Sequence, residues 1–233
     1  MTTDLLPAIE LSTGPRPLGT VIWLHGLGAD GNDFAPIVRE LALPEDKPLR
    51  FIFPHAPIRP VSINSGYAMR AWFDMGSASA ILVPGQSSRP GVWSSEPHIR
   101  ESQRAVEALI EREGLRGIAT EKIVLAGFSQ GGVIALHTAL RYPKKLAGVM
   151  ALSTYLALDE SLDAEKQAAN STIPIFMAHG RQDDVIPLQA ALSSRERLQS
   201  LEYAVEWHEY AMPHSVCPEE VEAIAAWLAK VLG

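Results

Sequence analysis

The chain has 233 residues, of which 47% are hydrophobic and 20% are charged, and its formal net charge is −7. This is the composition of a globular protein with a sizeable core, and a negative charge without any Lys/Arg cluster argues against a nucleic-acid partner. The N-terminal residues do not resemble a signal peptide, no apolar run has the roughly 20 residues of a membrane span, and a single cysteine excludes an internal disulfide. We therefore expect a cytoplasmic protein without stable membrane insertion.

Strand and helix patterns alternate along the chain without an obvious linker, which predicts a single α/β domain over residues 1–233. Residues 1–17 are expected to form an exposed arm or a short edge strand. Short apolar runs predict the buried strands that follow. In chain order these are Thr20–Leu24, Arg50–Phe53, Lys122–Ala126, Leu146–Leu152, Ile173–Ala178 and Val205–Tyr210.

Three stretches outside these strands carry helix or loop signals. Apolar residues at helical spacing predict a helix from Pro97 to Glu113, with Gly114 just past its end. The acidic and polar stretch Leu158–Ser171 is expected to be a solvated connection. A terminal helix is predicted to begin near Pro218.

The motif GFSQGG, at Gly127–Gly132, is the most informative feature of the chain. It follows a predicted strand and precedes residues with helical spacing, which is the context of a G-x-S-x-G nucleophile elbow. In so sharp a turn, side chains at Gly127 and Gly131 would collide with neighbouring backbone. We expect the Ser129 hydroxyl to stand above the sheet edge, at a helix N-terminus that favours negative charge. An ordinary turn is the alternative, so the motif indicates catalysis only together with an acid and a base.

Candidate acids and a candidate base follow two later strands. Asp183 lies in the loop after the predicted strand Ile173–Ala178, and the neighbouring Asp184 is its main rival. His214 lies after the predicted strand Val205–Tyr210. Because the carboxyl ends of parallel strands share one edge of a sheet, these side chains are expected to approach Ser129. The order serine, acid, histidine along the chain is that of α/β-hydrolases.

A glycine-rich loop, HGLGADG at His25–Gly31, follows the first predicted strand. A backbone N–H from this loop, that of Leu27, and the N–H of Gln130 are expected to form an oxyanion hole. A phosphate cradle is the rival interpretation, but neither a Walker motif nor G-x-G-x-x-G is present. Without close pairing of His, Cys and carboxylates, no metal and no cofactor are expected.

Six sequence blocks together resemble the carboxylesterase/acyl-protein thioesterase (phospholipase/carboxylesterase) family of α/β-hydrolases, from about Val21 to the C-terminus. The blocks are Leu24–Asp30, Pro54–Pro57, Arg70–Asp74, Gly127–Gly132, His179–Asp183 and Pro213–Ser215. The resemblance implies an α/β-hydrolase fold, with a mostly parallel central sheet and helices on both faces. It also implies the roles of nucleophile, base, acid and the two oxyanion donors for Ser129, His214, Asp183, Leu27 and Gln130.

One segment departs from the family pattern, because Ser77–Glu96 is longer and richer in Ser, Pro and Gly. We expect a lid or an acyl-groove loop over about residues 62–96, with Trp72, Leu82 and Val83 in contact with substrate. Packing of this segment against a second subunit, in a homodimer, is the alternative.

These features predict a serine carboxylesterase that hydrolyses carboxylic esters, and thioesters as an open alternative, through a Ser-His-Asp triad and an acyl-enzyme intermediate. The expected substrate is a small-molecule ester or thioester. An acyl-protein thioesterase or a lysophospholipase, both preferring long acyl chains, is the alternative within hydrolases. A binding protein on a hydrolase scaffold is the non-enzymatic alternative, and it would require a broken triad.

Overall fold

A seven-stranded sheet organises the residues that the computed structural model describes, which are 5–77 and 92–233. The strands are β1 Ala8–Ser12, β2 Gly19–Leu24, β3 Leu49–Pro54, β4 Ile58–Val61, β5 Tyr67–Arg70, β6 Met75–Ser77, β7 Val92–Ser94, β8 Ile123–Phe128, β9 Gly148–Leu152, β10 Ile175–Gly180 and β11 Val205–Tyr210. The helices are α1 Ile37–Glu40, α2 Glu96–Leu115, α3 Gln130–Arg141, α4 Asp159–Glu165, α5 Leu188–Ser200 and α6 Pro218–Val231.

The order of strands in the main sheet is β1-β3-β2-β8-β9-β10-β11. All neighbours are parallel except β1, which pairs antiparallel with β3 at one edge. Strands β2, β8, β9 and β10 read as nearly continuous apolar runs because helices cover both of their faces. The predicted mostly parallel sheet with helices on both faces is confirmed.

Two apolar cores lie on opposite faces of the sheet. Strand β2 contributes alternate side chains to them, because successive residues of a strand point to opposite faces. Ile22 and Leu24 pack with helices α2, α3 and α4, whereas Val21 and Trp23 pack with α1 and α6. The carboxyl ends of the parallel strands are therefore held between two helical layers, and loops at that edge rest on a rigid base.

Helix α2 does not end where the sequence pattern predicted, since it continues through Gly114 to Leu115. The C-cap residue is Arg116, and it is followed by Gly117, whose φ of +89° gives the left-handed conformation that terminates helices. The N–H of Gly117 bonds to the Gly114 carbonyl, and the N–H of Ile118 bonds to the Glu113 carbonyl, both at 3.0 Å. This pair of bonds is a Schellman motif, so the prediction of Gly114 at this position was wrong.

The stretch predicted as a solvated connection, Leu158–Ser171, contains helix α4. Leu162 is fully buried in the core, and Glu165 forms ion pairs with Arg100 on α2 and Arg141 on α3. These pairs hold the pKa of Glu165 at about 2 against the opposing effect of desolvation. The prediction was wrong because one buried leucine and partners distant in sequence define this helix.

Two antiparallel hairpins, β4–β5 and β6–β7, follow β3. Strands β5, β6 and β7 belong to the segment of about residues 62–96 that was predicted as a lid or acyl-groove loop, and that role remains a prediction. Leu82 and Val83, proposed there as substrate contacts, lie outside the described residues. Within the described part of the chain, no helix combines the length and apolarity required to cross a membrane.

Candidate active site

The turn between β8 and α3 has the geometry of a nucleophile elbow. Ser129 has a φ of 55° and a ψ of −122°, which is a strained conformation for a residue with a side chain. A Cβ added to Gly127 would lie 2.3 Å from the Gly131 backbone, and one added to Gly131 would lie 2.3 Å from the Leu24 carbonyl oxygen. Any side chain at either glycine would thus collide with neighbouring backbone, as expected.

Neighbouring hydrogen bonds hold this strained turn. The Ser129 N–H donates to the Leu152 carbonyl at 2.9 Å, and the Thr154 hydroxyl donates to the Ser129 carbonyl at 2.7 Å. Both partners belong to the end of β9 and the loop after it. The serine backbone is therefore tied to the adjacent strand, while its side chain is 8% exposed at the carboxyl edge of the sheet.

Asp183 follows β10, and its carboxylate is bonded on both oxygens. Oδ1 accepts the N–H groups of Val185 at 2.9 Å and Ile186 at 2.8 Å. Oδ2 lies 2.7 Å from His214 Nδ1. The rival Asp184 is exposed. The structure thus joins His214 to Asp183.

His214 lies in the loop between β11 and α6, and its ring packs against Phe128, the residue before Ser129, with centroids 4.7 Å apart. Because a carboxylate only accepts hydrogen bonds, the Nδ1 proton of His214 is donated to Asp183. This bond leaves Nε2 as the ring nitrogen that can accept a proton. Asp183, His214 and the residue adjoining Ser129 therefore converge at one edge of the sheet.

The predicted oxyanion donors lie on two separate segments. Gln130 is the first residue of α3, so its N–H is one of those that no helical carbonyl accepts. Leu27 lies half-buried in the loop after β2. The N–H of Leu27 has no acceptor among the described residues, whereas the next N–H, that of Gly28, bonds to the Arg70 carbonyl at 2.9 Å.

His25 anchors the start of this loop. Its Nε2 accepts the Ala56 N–H at 3.0 Å, so the ring proton is on Nδ1 and is donated to the Gly26 carbonyl at 2.7 Å. Burial, assisted by the nearby His55 and Arg70, lowers the pKa of His25 to about 4. The ring is therefore neutral at physiological pH and acts as a hydrogen-bonded clamp on the loop.

Trp72 is completely buried, and its polar groups connect three elements. The indole N–H donates to the His25 carbonyl at 2.8 Å, and the backbone N–H donates to Gln130 Oε1 at 2.7 Å. The Trp72 carbonyl accepts the Ser102 hydroxyl at 2.5 Å. A contact between Trp72 and substrate remains a prediction.

The side chain of Gln130 was missed as a structural element by sequence reasoning, which considered only its N–H. Its Nε2 donates to the Phe73 carbonyl at 2.8 Å, while its Oε1 accepts the Trp72 N–H. The block Arg70–Asp74 was recognised in the sequence, but nothing in its spacing indicates that it is bonded to residue 130.

His179, at the end of β10, is buried directly beneath Asp183. Its Nε2 donates to the Ile186 carbonyl at 2.8 Å and lies 3.4 Å from Asp183 Oδ2. The bond to Ile186 closes the loop that carries Asp183. Across residues 5–77 and 92–233, no group of three or more His, Cys, Asp or Glu side chains is arranged to hold a metal ion.

Comparison with known proteins decides the family. The family model described as phospholipase/carboxylesterase matches residues 8–232. This chain belongs to that family. It is 37% identical to acyl-protein thioesterase 1 of Gibberella zeae, over 100% of this chain and 98% of the relative. It is 35% identical to acyl-protein thioesterase 1 of Mycosarcoma maydis, over 96% and 95% of the two chains.

A solved structure extends the comparison to the fold. The crystal structure of Zea mays acyl-protein thioesterase 2 is similar with a TM-score of 0.81 and 27% identity, over 97% of this chain and 99% of that one. The predicted α/β-hydrolase fold is thereby confirmed. The prediction of an enzyme of the serine hydrolase, carboxylesterase/thioesterase type is confirmed with the family.

Proposed function

We propose that the chain hydrolyses carboxylic esters and thioesters by two-step acyl transfer, with Ser129 as nucleophile. His214 Nε2 removes the Ser129 proton as the hydroxyl attacks the carbonyl carbon. Asp183 keeps the ring proton on Nδ1 and stabilises the imidazolium that forms. The observation that carries this proposal is the 2.7 Å bond between Asp183 and His214 beside the strained serine.

The N–H groups of Leu27 and Gln130 are proposed to bind the oxyanion of each tetrahedral intermediate. His214 then gives its proton to the leaving alcohol or thiol, which departs and leaves an acyl group on Ser129. In the second step His214 activates a water molecule, and the attack of this water on the acyl-enzyme releases the carboxylic acid. No cofactor takes part in this sequence.

Two substrate classes remain in this proposal. The relatives named acyl-protein thioesterase favour an acylated protein as substrate, with a long-chain thioester at the reacting carbon. A lysophospholipid would present an oxygen ester instead. The predicted acyl-groove residues Leu82 and Val83 would determine chain length in either case, and Leu82→Asp should raise KM for longer acyl chains. The cytoplasmic location and a homodimer remain predictions.

The first experiment is hydrolysis of a p-nitrophenyl ester series, from acetate to palmitate, by wild type and Ser129→Ala. Loss of the nucleophile should lower kcat by about 10⁶ at every chain length. A maximum at short chains would favour a general carboxylesterase, and a maximum at long chains the thioesterase or lysophospholipase. Equal rates from both proteins would refute the triad and favour a binding protein.

A further inference from the structure

We propose that Trp72 is a positioning residue that holds the two oxyanion donors at a fixed distance from each other. The inference rests on the proposed function, because it assumes that the N–H groups of Leu27 and Gln130 bind the oxyanion. These two residues belong to different elements, the loop after β2 and the start of α3. An oxyanion hole works only if both donors are held in place before charge develops.

The hydrogen bonds of Trp72 reach both the loop after β2 and the start of α3. Its indole N–H bonds to the carbonyl of His25, two residues before Leu27, at 2.8 Å. Its backbone N–H bonds at 2.7 Å to the side chain of Gln130, the residue that supplies the other donor. One residue is thus bonded to the segment of each donor.

A third bond fixes Trp72 itself. Its carbonyl accepts the hydroxyl of Ser102 at 2.5 Å, and Ser102 lies on α2 with 2% of its surface exposed. Helix α2 packs in the core on one face of the sheet. The backbone of Trp72 is therefore also held to a long helix that carries neither of the two donors.

Burial makes these bonds difficult to replace. Trp72 is 0% exposed and His25 is 1% exposed, and their rings pack 5.2 Å apart between centroids. If the indole N–H were removed, water could not readily reach the His25 carbonyl, and an unpaired buried carbonyl destabilises its segment. The loop would then relax towards another partner and carry Leu27 with it.

The role differs from the predicted contact between Trp72 and the acyl chain, and kinetics separates the two. A residue that acts on the oxyanion changes kcat equally for every acyl length, because the carbonyl is common to all substrates. A residue in an acyl groove changes KM, and the change grows with chain length. The two roles therefore predict different patterns in one substrate series.

The principal variant is Trp72→Phe, which keeps an aromatic ring and removes the indole N–H. Trp23→Phe is the matched control, because Trp23 is also buried but its Nε1 has no partner among the described residues. We expect Trp72→Phe to lower kcat about tenfold to a hundredfold at every chain length, with KM within about twofold. Trp23→Phe should leave kcat within about twofold of wild type. An equal effect of the two substitutions would overturn the proposal, as would a rise of KM with chain length.

A trifluoromethyl ketone supplies a second readout, because its adduct with Ser129 carries an oxyanion. Its inhibition constant should rise in Trp72→Phe by the same factor as kcat/KM falls. An unchanged inhibition constant beside a lowered kcat would contradict a role at the oxyanion. If Trp72→Phe does not fold, Gln130→Met carries the same test, since it keeps the backbone N–H and removes the acceptor for Trp72.

The double variant that combines Trp72→Phe and Gln130→Met tests whether the bonds of Trp72 to His25 and to Gln130 act as a unit. Either single substitution disconnects the two donor segments, so the double variant should lose no more than about threefold beyond the worse single variant. Multiplicative losses would show two independent effects and overturn the proposal. Failure of the proposed function is recognised separately, because wild type and Ser129→Ala would then hydrolyse the esters at equal rates.

Discussion

The loop that carries the proposed acid and the loop that carries one proposed oxyanion donor are held in different ways. We call Gly180–Ile186 the acid loop and His25–Gly31 the oxyanion loop. In the acid loop the contacts of the Asp183 carboxylate are mostly local, because it accepts the N–H groups of Val185 and Ile186 within its own loop. Two backbone N–H groups at the start of the loop, those of Arg181 and Gln182, donate to carbonyls of the strand β11 and the loop after it. His179, immediately before the loop, closes it through the Ile186 carbonyl.

The partners of the oxyanion loop come from the connection after β3 and from the hairpin and loop beyond it. The N–H of Gly28 donates to the Arg70 carbonyl, and the N–H of Gly31 donates to His55 Nδ1 at 3.1 Å. His25 is bonded through its ring to Ala56 and through its carbonyl to Trp72. The comparison shows that the Asp183 carboxylate is held largely within its own loop, whereas the named partners of the oxyanion loop lie 24 to 47 positions away.

Among variants of these two loops, the largest loss of kcat should come from the acid loop. Asp183→Asn keeps an oxygen for the N–H groups of the loop but presents an amide N–H to His214, which favours the wrong tautomer of the ring. We expect kcat to fall by about 10³ to 10⁴ with little change in Tm. The exposed neighbour provides the control, since Asp184→Asn should stay within about twofold of wild type. A larger loss in the control would move the role of acid to Asp184.

A pair of buried histidines tests the difference between the loops. His25→Phe removes the acceptor for Ala56 in a loop that depends on partners from distant segments, and kcat should fall about tenfold to a hundredfold. His179→Phe removes one bond from a loop that keeps its others, so its loss should be less than about tenfold. Ester hydrolysis at saturating substrate, with Tm measured for both variants, provides the comparison. A greater kcat loss in His179→Phe than in His25→Phe would contradict the stated difference between the two loops.

The smallest effect concerns a carboxyl that lacks the partners of Asp183. Glu220, in the first turn of α6, is fully buried, and both of its oxygens lack a hydrogen bond of normal geometry in the described structure. Burial raises its pKa to about 8, and the nearby Cys217 N–H offsets only part of that shift. Because the folded pKa lies above the unfolded value, stability from this group is complete below about pH 4.5 and falls as pH rises to about 8.

Glu220→Gln removes that titration. Its free energy of unfolding should be close to that of wild type at pH 5 and higher by several kcal/mol at pH 8.5, since the pKa rises from 4.5 to about 8 and one pKa unit corresponds to about 1.4 kcal/mol. Urea unfolding at the two pH values measures the difference, and kcat should not change. A variant less stable than wild type at the higher pH would show that the carboxylate has a partner in solution.

Several features of the site could be predicted from the sequence because short-range sterics determine them. Glycine is required at positions 127 and 131 wherever a serine sits on so tight a turn, because an added Cβ would lie only 2.3 Å from neighbouring backbone atoms. An acid in the loop after a buried strand was expected, with Asp184 as the rival of Asp183, and the structure bonds His214 to Asp183. The errors have the same origin, since Gly114 and Gly117 are equally good terminators by type and only the backbone conformation distinguishes them.

The sequence by itself determined the alternation of strands and helices, the elbow at Ser129 and the loops that carry Asp183 and His214, because each depends on residues close together in the chain. Only the tertiary structure decided that Trp72 and the Gln130 side chain connect the oxyanion loop to the elbow. Hydrogen bonds between segments distant in sequence leave no periodic pattern, since any polar group of suitable geometry can make them once packing brings the segments together.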